Sequence, residues 1–111
     1  MSELTARVDR QADRSVIHLS GYLSSESVAP LEEAFQQAVE AEKVLIVFEE
    51  KGLISSVGLA LLFDLIYPAQ EKGKQVRIVQ PSKHFRKVFD LIGLSKDVEV
   101  FEDEEQAVTG W

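Results

Sequence analysis

KVLIVF, residues 43–48, is five apolar side chains in a row behind one lysine. A strand with one wet face alternates apolar and polar residues. An unbroken apolar run suits a strand buried on both faces, as in a parallel sheet. The run therefore predicts a central strand. Upstream, SSESVAPLEEAFQQAVEAEK (24–43) carries Val28, Leu31, Phe35, Ala38 and Val39 at helical spacing. Ser25 or Ser27 is placed to cap this helix, Pro30 fits its first turn, and Glu32 and Glu33 favour the positive end of its dipole.

Further out, LTARV (4–8) sets Leu4, Ala6 and Val8 on one face of a half-buried strand. SVIHLSG (15–21) reads as a second strand, with Ile17 and Leu19 on one face and Val16 and His18 on the other. Downstream of KVLIVF, a helix runs from about Val57 to Lys72 and Gly73 ends it. QVRIVQ (75–80) is the next strand. PSKHFRKVFDLIG (81–93) is a helix with Phe85, Val88, Phe89 and Ile92 as its inner stripe, and DVEVF (97–101) is a short edge strand. EDEEQAV (102–108) forms a short helix with an acidic start. Strands alternating with helices predict an α/β domain with a mixed sheet of four or five strands.

The chain has 111 residues, enough for one domain, 1–111, with a core that needs no staples. There is no cysteine and there are only two histidines, His18 and His84, so disulfides, thiolate catalysis and a zinc or iron site lack material. Nineteen acidic against twelve basic residues give a formal charge of -7, which repels phosphate backbones and anionic membranes. Nucleic-acid binding is not expected. The N-terminus lacks the apolar core of a signal peptide, and no apolar run approaches the roughly 20 residues of a membrane span. The expected location is the cytoplasm.

On a helical wheel, Leu59, Leu62, Phe63 and Ile66 make the core side of the helix after residue 56. The other side carries Val57, Ala60, Leu61, Asp64 and Pro68. Asp64, its only charge, turns this side to water. A contiguous apolar patch beside a loop marks a partner site. Pro68 removes one helical hydrogen bond and is expected to kink or end the helix near Tyr67.

Ser55 and Ser56 stand in front of this helix, and serine is a favoured N-cap. No G-x-S-x-G elbow couples either serine to His18 or His84. Gly52 and Gly58 do not make a P-loop. Neither hydrolysis nor nucleotide cleavage is indicated, and no enzymatic activity is expected.

Taken in order, SVIHLSGYLSSESVAPLEEAF, KVLIVF, ISSVGLALL and KQVRIVQPSKHFRKVFDLIGLSKDVEVFEDEEQAV resemble a STAS domain of the bacterial anti-sigma factor antagonist type. The resemblance covers nearly the whole chain. It implies a mixed sheet flanked by helices. Family members carry an Asp-Ser pair, one small residue and then Gly-Leu. Gly58 and Leu59 match the Gly-Leu, so the resemblance makes Ser56 the phosphoacceptor and puts Ser55 at the aspartate position. A second acidic position of the family is filled by Ser24. Two acidic neighbours of the switch serine are thus serines here, and Glu49 and Glu50 are placed to supply part of that charge.

The resemblance implies a partner-binding surface of Ser24, Ser55, Val57, Ala60 and Leu61 around Ser56. It implies a serine-kinase anti-sigma factor as partner, bound while Ser56 is unphosphorylated, and a metal-dependent serine phosphatase that resets the switch. No cofactor belongs to this chain; ATP and magnesium belong to the partners. Three further readings stay open: control of an output other than a sigma factor, such as surface attachment or biofilm; a nucleotide sensor; and a permanent scaffold in which Ser56 is only a cap.

Overall fold

The computed structural model describes residues 4–24, 26–49, 53–54, 56–79, 87 and 98–111. Seven strands lie among them: β1 (Thr5–Arg10), β2 (Arg14–Ser20), β3 (Tyr22–Leu23), β4 (Lys43–Phe48), β5 (Leu53–Ile54), β6 (Gln75–Val79) and β7 (Glu99–Phe101). The helices are α1 (Ala29–Ala38), α2 (Ser56–Glu71) and α3 (Glu104–Val108). The main sheet has five strands in the order β1-β2-β4-β6-β7, with β4 at its centre and β7 at an edge. Only β1 runs antiparallel to its neighbour; β2, β4, β6 and β7 are parallel. The fold is the mixed α/β sheet that the apolar run at 43–48 predicts.

Register explains the two cores. Val8, Ile17, Ile46, Ile78 and Val100 pair in one row across all five strands. That row belongs to the larger core, together with Leu31, Phe35 and Ala38 of α1 and Leu59, Leu62, Phe63 and Ile66 of α2. Side chains alternate across a strand, so Leu45 and Val47 of β4 point the other way. They join Val16, Val79 and Ala107 of α3 in a second cluster, edged by Phe101, Val108 and Trp111. Every residue of β4 from Val44 to Phe48 is buried.

Two local expectations are corrected. First, α1 begins at Ala29 with Val28 as N-cap, and Val28 makes no side-chain cap. Ser27 does not cap it: its hydroxyl donates to the Tyr22 carbonyl at 2.5 Å and accepts from the Ser24 amide at 3.0 Å. The hydroxyl closes the turn behind it, a common alternative use of serine. Ser25, the other capping candidate, lies outside the described residues.

Second, α2 runs through Pro68 to Glu71, close to the expected Val57–Lys72, and the alternative of a stop near Tyr67 falls away. Asp64 and Pro68 are both exposed, so the carbonyl deprived of its partner lies on the wet side of the helix. The amide of Lys72 still donates to the Pro68 carbonyl at 3.2 Å. On β2, the His18 side chain is 15% exposed, and its Nδ1 lies 3.5 Å from Oε1 of Glu49.

At the acidic end, Asp103 caps α3 by accepting from the Gln106 amide at 2.8 Å. The stripe Phe85, Val88, Phe89 and Ile92 lies outside the described residues. Lys87 alone of that segment is described, as helical and exposed.

Candidate functional site

Two short strands set the start of α2. Tyr22–Leu23 pairs in parallel with Leu53–Ile54, apart from the main sheet. Parallel pairing sends the two chains out of the pair in the same direction. Ser24 follows Leu23, and α2 begins at Ser56, two residues beyond Ile54. Ser56 and Ser24 therefore leave a common edge of this pair. Gly21, at φ 95, makes the turn between β2 and β3. The amide of Glu49 donates to the Leu19 carbonyl at 2.8 Å and holds the end of β4 against β2.

Ser24 sits in a tight polar turn. Its hydroxyl accepts from the Glu26 amide at 3.3 Å and lies 3.3 Å from the Ser27 hydroxyl. The group is half-buried and held by neutral hydrogen bonds. Glu49, proposed from sequence as nearby charge, has its carboxylate beside His18. Ser55 and Glu50 lie outside the described residues.

Helix α2 divides cleanly. Leu59, Leu62, Phe63 and Ile66 are at most 4% exposed. On the other side Val57 is 54% exposed, Ala60, Asp64 and Pro68 are exposed, and Leu61 is half-buried. Tyr67 extends this outer face; it is 38% exposed, and its ring stands 5.4 Å from that of Phe63. The sequence reading missed Tyr67, although its spacing of three from Asp64 and seven from Ala60 was the signal for it. The outer face is thus a short apolar strip with one carboxylate, beginning at the helix N-terminus. A helix start offers free N–H groups and the positive end of the dipole to an anion.

Among the described residues no group of three or more His, Asp or Glu side chains is placed to hold a metal. Among the same residues no helix is long and apolar enough to cross a membrane.

A five-stranded mixed sheet with this serine-led helix defines a class. The family model described as the Mlab STAS domain matches residues 6–102, and the chain belongs to the STAS domain family. The chain is 30% identical over 93 residues to the intermembrane phospholipid transport system binding protein MlaB of Haemophilus influenzae, covering 79% of this chain and 89% of that protein. Among solved structures it is similar to an anti-sigma factor antagonist from Mycobacterium paratuberculosis, with TM-score 0.71, 25% identity, and coverage of 97% of this chain and 93% of that one. The Bacillus cell fate determinant SpoIIAA in its phosphorylated form shares the fold, with TM-score 0.70 at 21% identity over 95% of this chain and 97% of that one.

Proposed function

We propose that this STAS domain is a non-enzymatic protein-binding switch, an anti-sigma factor antagonist, that docks on a serine-kinase anti-sigma factor through the outer face of α2. The observation that carries the reading is the exposure of Val57 and Ala60 directly after Ser56, on a helix whose other side is buried. Ser24, Ser55 and Leu61 complete the surface. Ser56 is the phosphoacceptor, and a metal-dependent serine phosphatase restores the unmodified form.

The physics of the switch follows from position. A phosphate adds roughly -1.5 to -2 charges at neutral pH. At a helix N-terminus that charge is favoured in the free domain. Against a docked partner it must be desolvated, which costs several kcal/mol unless paired. Since about 1.4 kcal/mol is tenfold in affinity, one modification is enough to release the complex. The fold of an anti-sigma factor antagonist, matched over nearly the whole chain, supports this reading.

One observation favours a second reading. The curated relative is a binding protein of an intermembrane phospholipid transport system. In that reading the same face of α2 docks on a component of such a system and Ser56 acts as a cap. Affinity capture of the tagged chain from its own cells, with the captured proteins identified, separates the two. A serine kinase captured by Ser56→Ala and lost with Ser56→Asp supports the first. Transport-system components captured equally by both variants support the second.

A further inference from the structure

We infer that a polar cavity at the far end of α2 is a binding site for a small phosphorylated polyhydroxy compound. The cavity has a volume of about 360 Å³ and is lined by Gln70, Lys74, Gln75, Val76, Arg77 and Glu99. That is within the size range of small-molecule sites, roughly 300–1,000 Å³. It lies where α2 ends and β6 begins, and its Gln70 is fourteen residues along α2 from Ser56. Fourteen residues of helix rise about 21 Å, so this site is remote from Ser56 and lies just beyond the Tyr67 end of the outer face.

The lining chemistry selects the ligand. In a chain of formal charge -7, this cavity sets two cations against one carboxylate. Arg77 spends one of its donors on the Ala107 carbonyl at 2.8 Å. Its Nε makes a long ion pair with Glu99 at 4.0 Å, beyond hydrogen-bond distance. A guanidinium has five donors in a planar fork that fits a phosphate. Lys74 supplies a second, mobile cation for the same group. Glu99 is an acceptor only and accepts a hydrogen bond from a ligand hydroxyl. Gln75 spends Oε1 on the indole N–H of Trp111 at 2.8 Å, which leaves its amide nitrogen as a double donor. A phosphate at Lys74 and Arg77 with a hydroxyl at Glu99 uses each group in its own sense.

The backbone around these groups is fixed. The Lys74 amide donates to the Ala69 carbonyl at 3.0 Å, and the Gln75 amide donates to the Glu42 carbonyl at 2.8 Å. Arg77 is held between two rings, 4.8 Å from the Trp111 centroid and 5.5 Å from that of Phe101. Such stacking orients the fork without using its N–H groups. The contacts also wire the cavity to the chain's one tryptophan.

The test is titration of the full chain with ribose 5-phosphate, inorganic phosphate and ribose, read by Trp111 fluorescence and by calorimetry at constant ionic strength. The expected result is saturable one-to-one binding of ribose 5-phosphate, with inorganic phosphate about tenfold weaker and ribose silent. Lys74→Gln and Arg77→Gln should each weaken binding by about tenfold, while Arg7→Gln, on exposed β1, should change nothing. Lys74→Gln leaves the Arg77 bond to α3 intact, so it tests the site without disturbing that contact. Absence of saturation at millimolar ribose 5-phosphate overturns the assignment. So does equal affinity for inorganic phosphate, or binding indifferent to Lys74→Gln.

Discussion

A β carbon on Gly58 would lie 2.4 Å from the carbonyl oxygen of Leu23. The first turn of α2 is pressed against the backbone of β3 at that point, and only a glycine permits it. The carbonyl carbon of Leu23 is also within 2.8 Å of the built position. Gly58→Ala must therefore push the helix start away from β3. The expected loss is about 1–3 kcal/mol, read as a lower denaturation midpoint at unchanged slope. Because the clash is with main-chain atoms, Leu23→Ala should not rescue it. Leu23 is fully buried, so the double variant should be less stable than either single one.

The two sides of α2 should answer a charge differently. Ala60→Glu, on the exposed face, should stay within about 0.5 kcal/mol of the parent and abolish partner binding. Leu62→Glu, at 0% exposure, should unfold the domain, because a buried carboxylate without a partner costs several kcal/mol. Circular dichroism melts and binding isotherms on the pair check this. An unfolded Ala60→Glu variant would place the docking strip inside the core.

The main sheet was legible because its rules are periodic. Burial of β4 on both faces follows from KVLIVF, and the buried side of α2 follows from the spacing of Leu59, Leu62, Phe63 and Ile66. The β3–β5 pair was not legible, since two residues per strand carry no period. Ser27 reads as a cap in the sequence because a serine hydroxyl serves either direction, and here it reaches back to Tyr22. Pro68 left an early end of α2 open for a similar reason, although the helix runs on to Glu71. Propensity counts the lost hydrogen bond but not the water available to its orphaned carbonyl. At the site, the motif singles out Gly58, which the structure sets against the Leu23 carbonyl, whereas Tyr67 needed the full length of α2 to be counted as part of its outer face.

The acidic C-terminal helix depends on its cap. Asp103→Ala removes the bond to the Gln106 amide and should cost about 0.5–2 kcal/mol. The loss should be local first. Ala107 and Trp111 lie on the second core cluster, so Trp111 fluorescence should change at lower denaturant than far-ultraviolet circular dichroism. Coincident transitions would mean that α3 unfolds only with the sheet.

An exposed ion pair should count for little by comparison. Arg10 pairs with Glu40, and both side chains are more than half exposed. Glu40→Gln should change stability by no more than about 1 kcal/mol, and less at high salt. A larger loss in thermal melts would mean that the pair fixes α1 against β1.

The central claim is that Ser56 is the switch. The most direct measurement is incubation of the purified chain with a serine-kinase anti-sigma factor from its own cells and magnesium ATP, followed by intact mass and phosphopeptide mapping. The account predicts one phosphate, located on Ser56, retained in Ser55→Ala and absent from Ser56→Ala. The phosphorylated chain should keep its melting temperature and lose its kinase complex. Phosphate on Ser55, or none on either serine, would contradict the account and leave the pair as a helix cap.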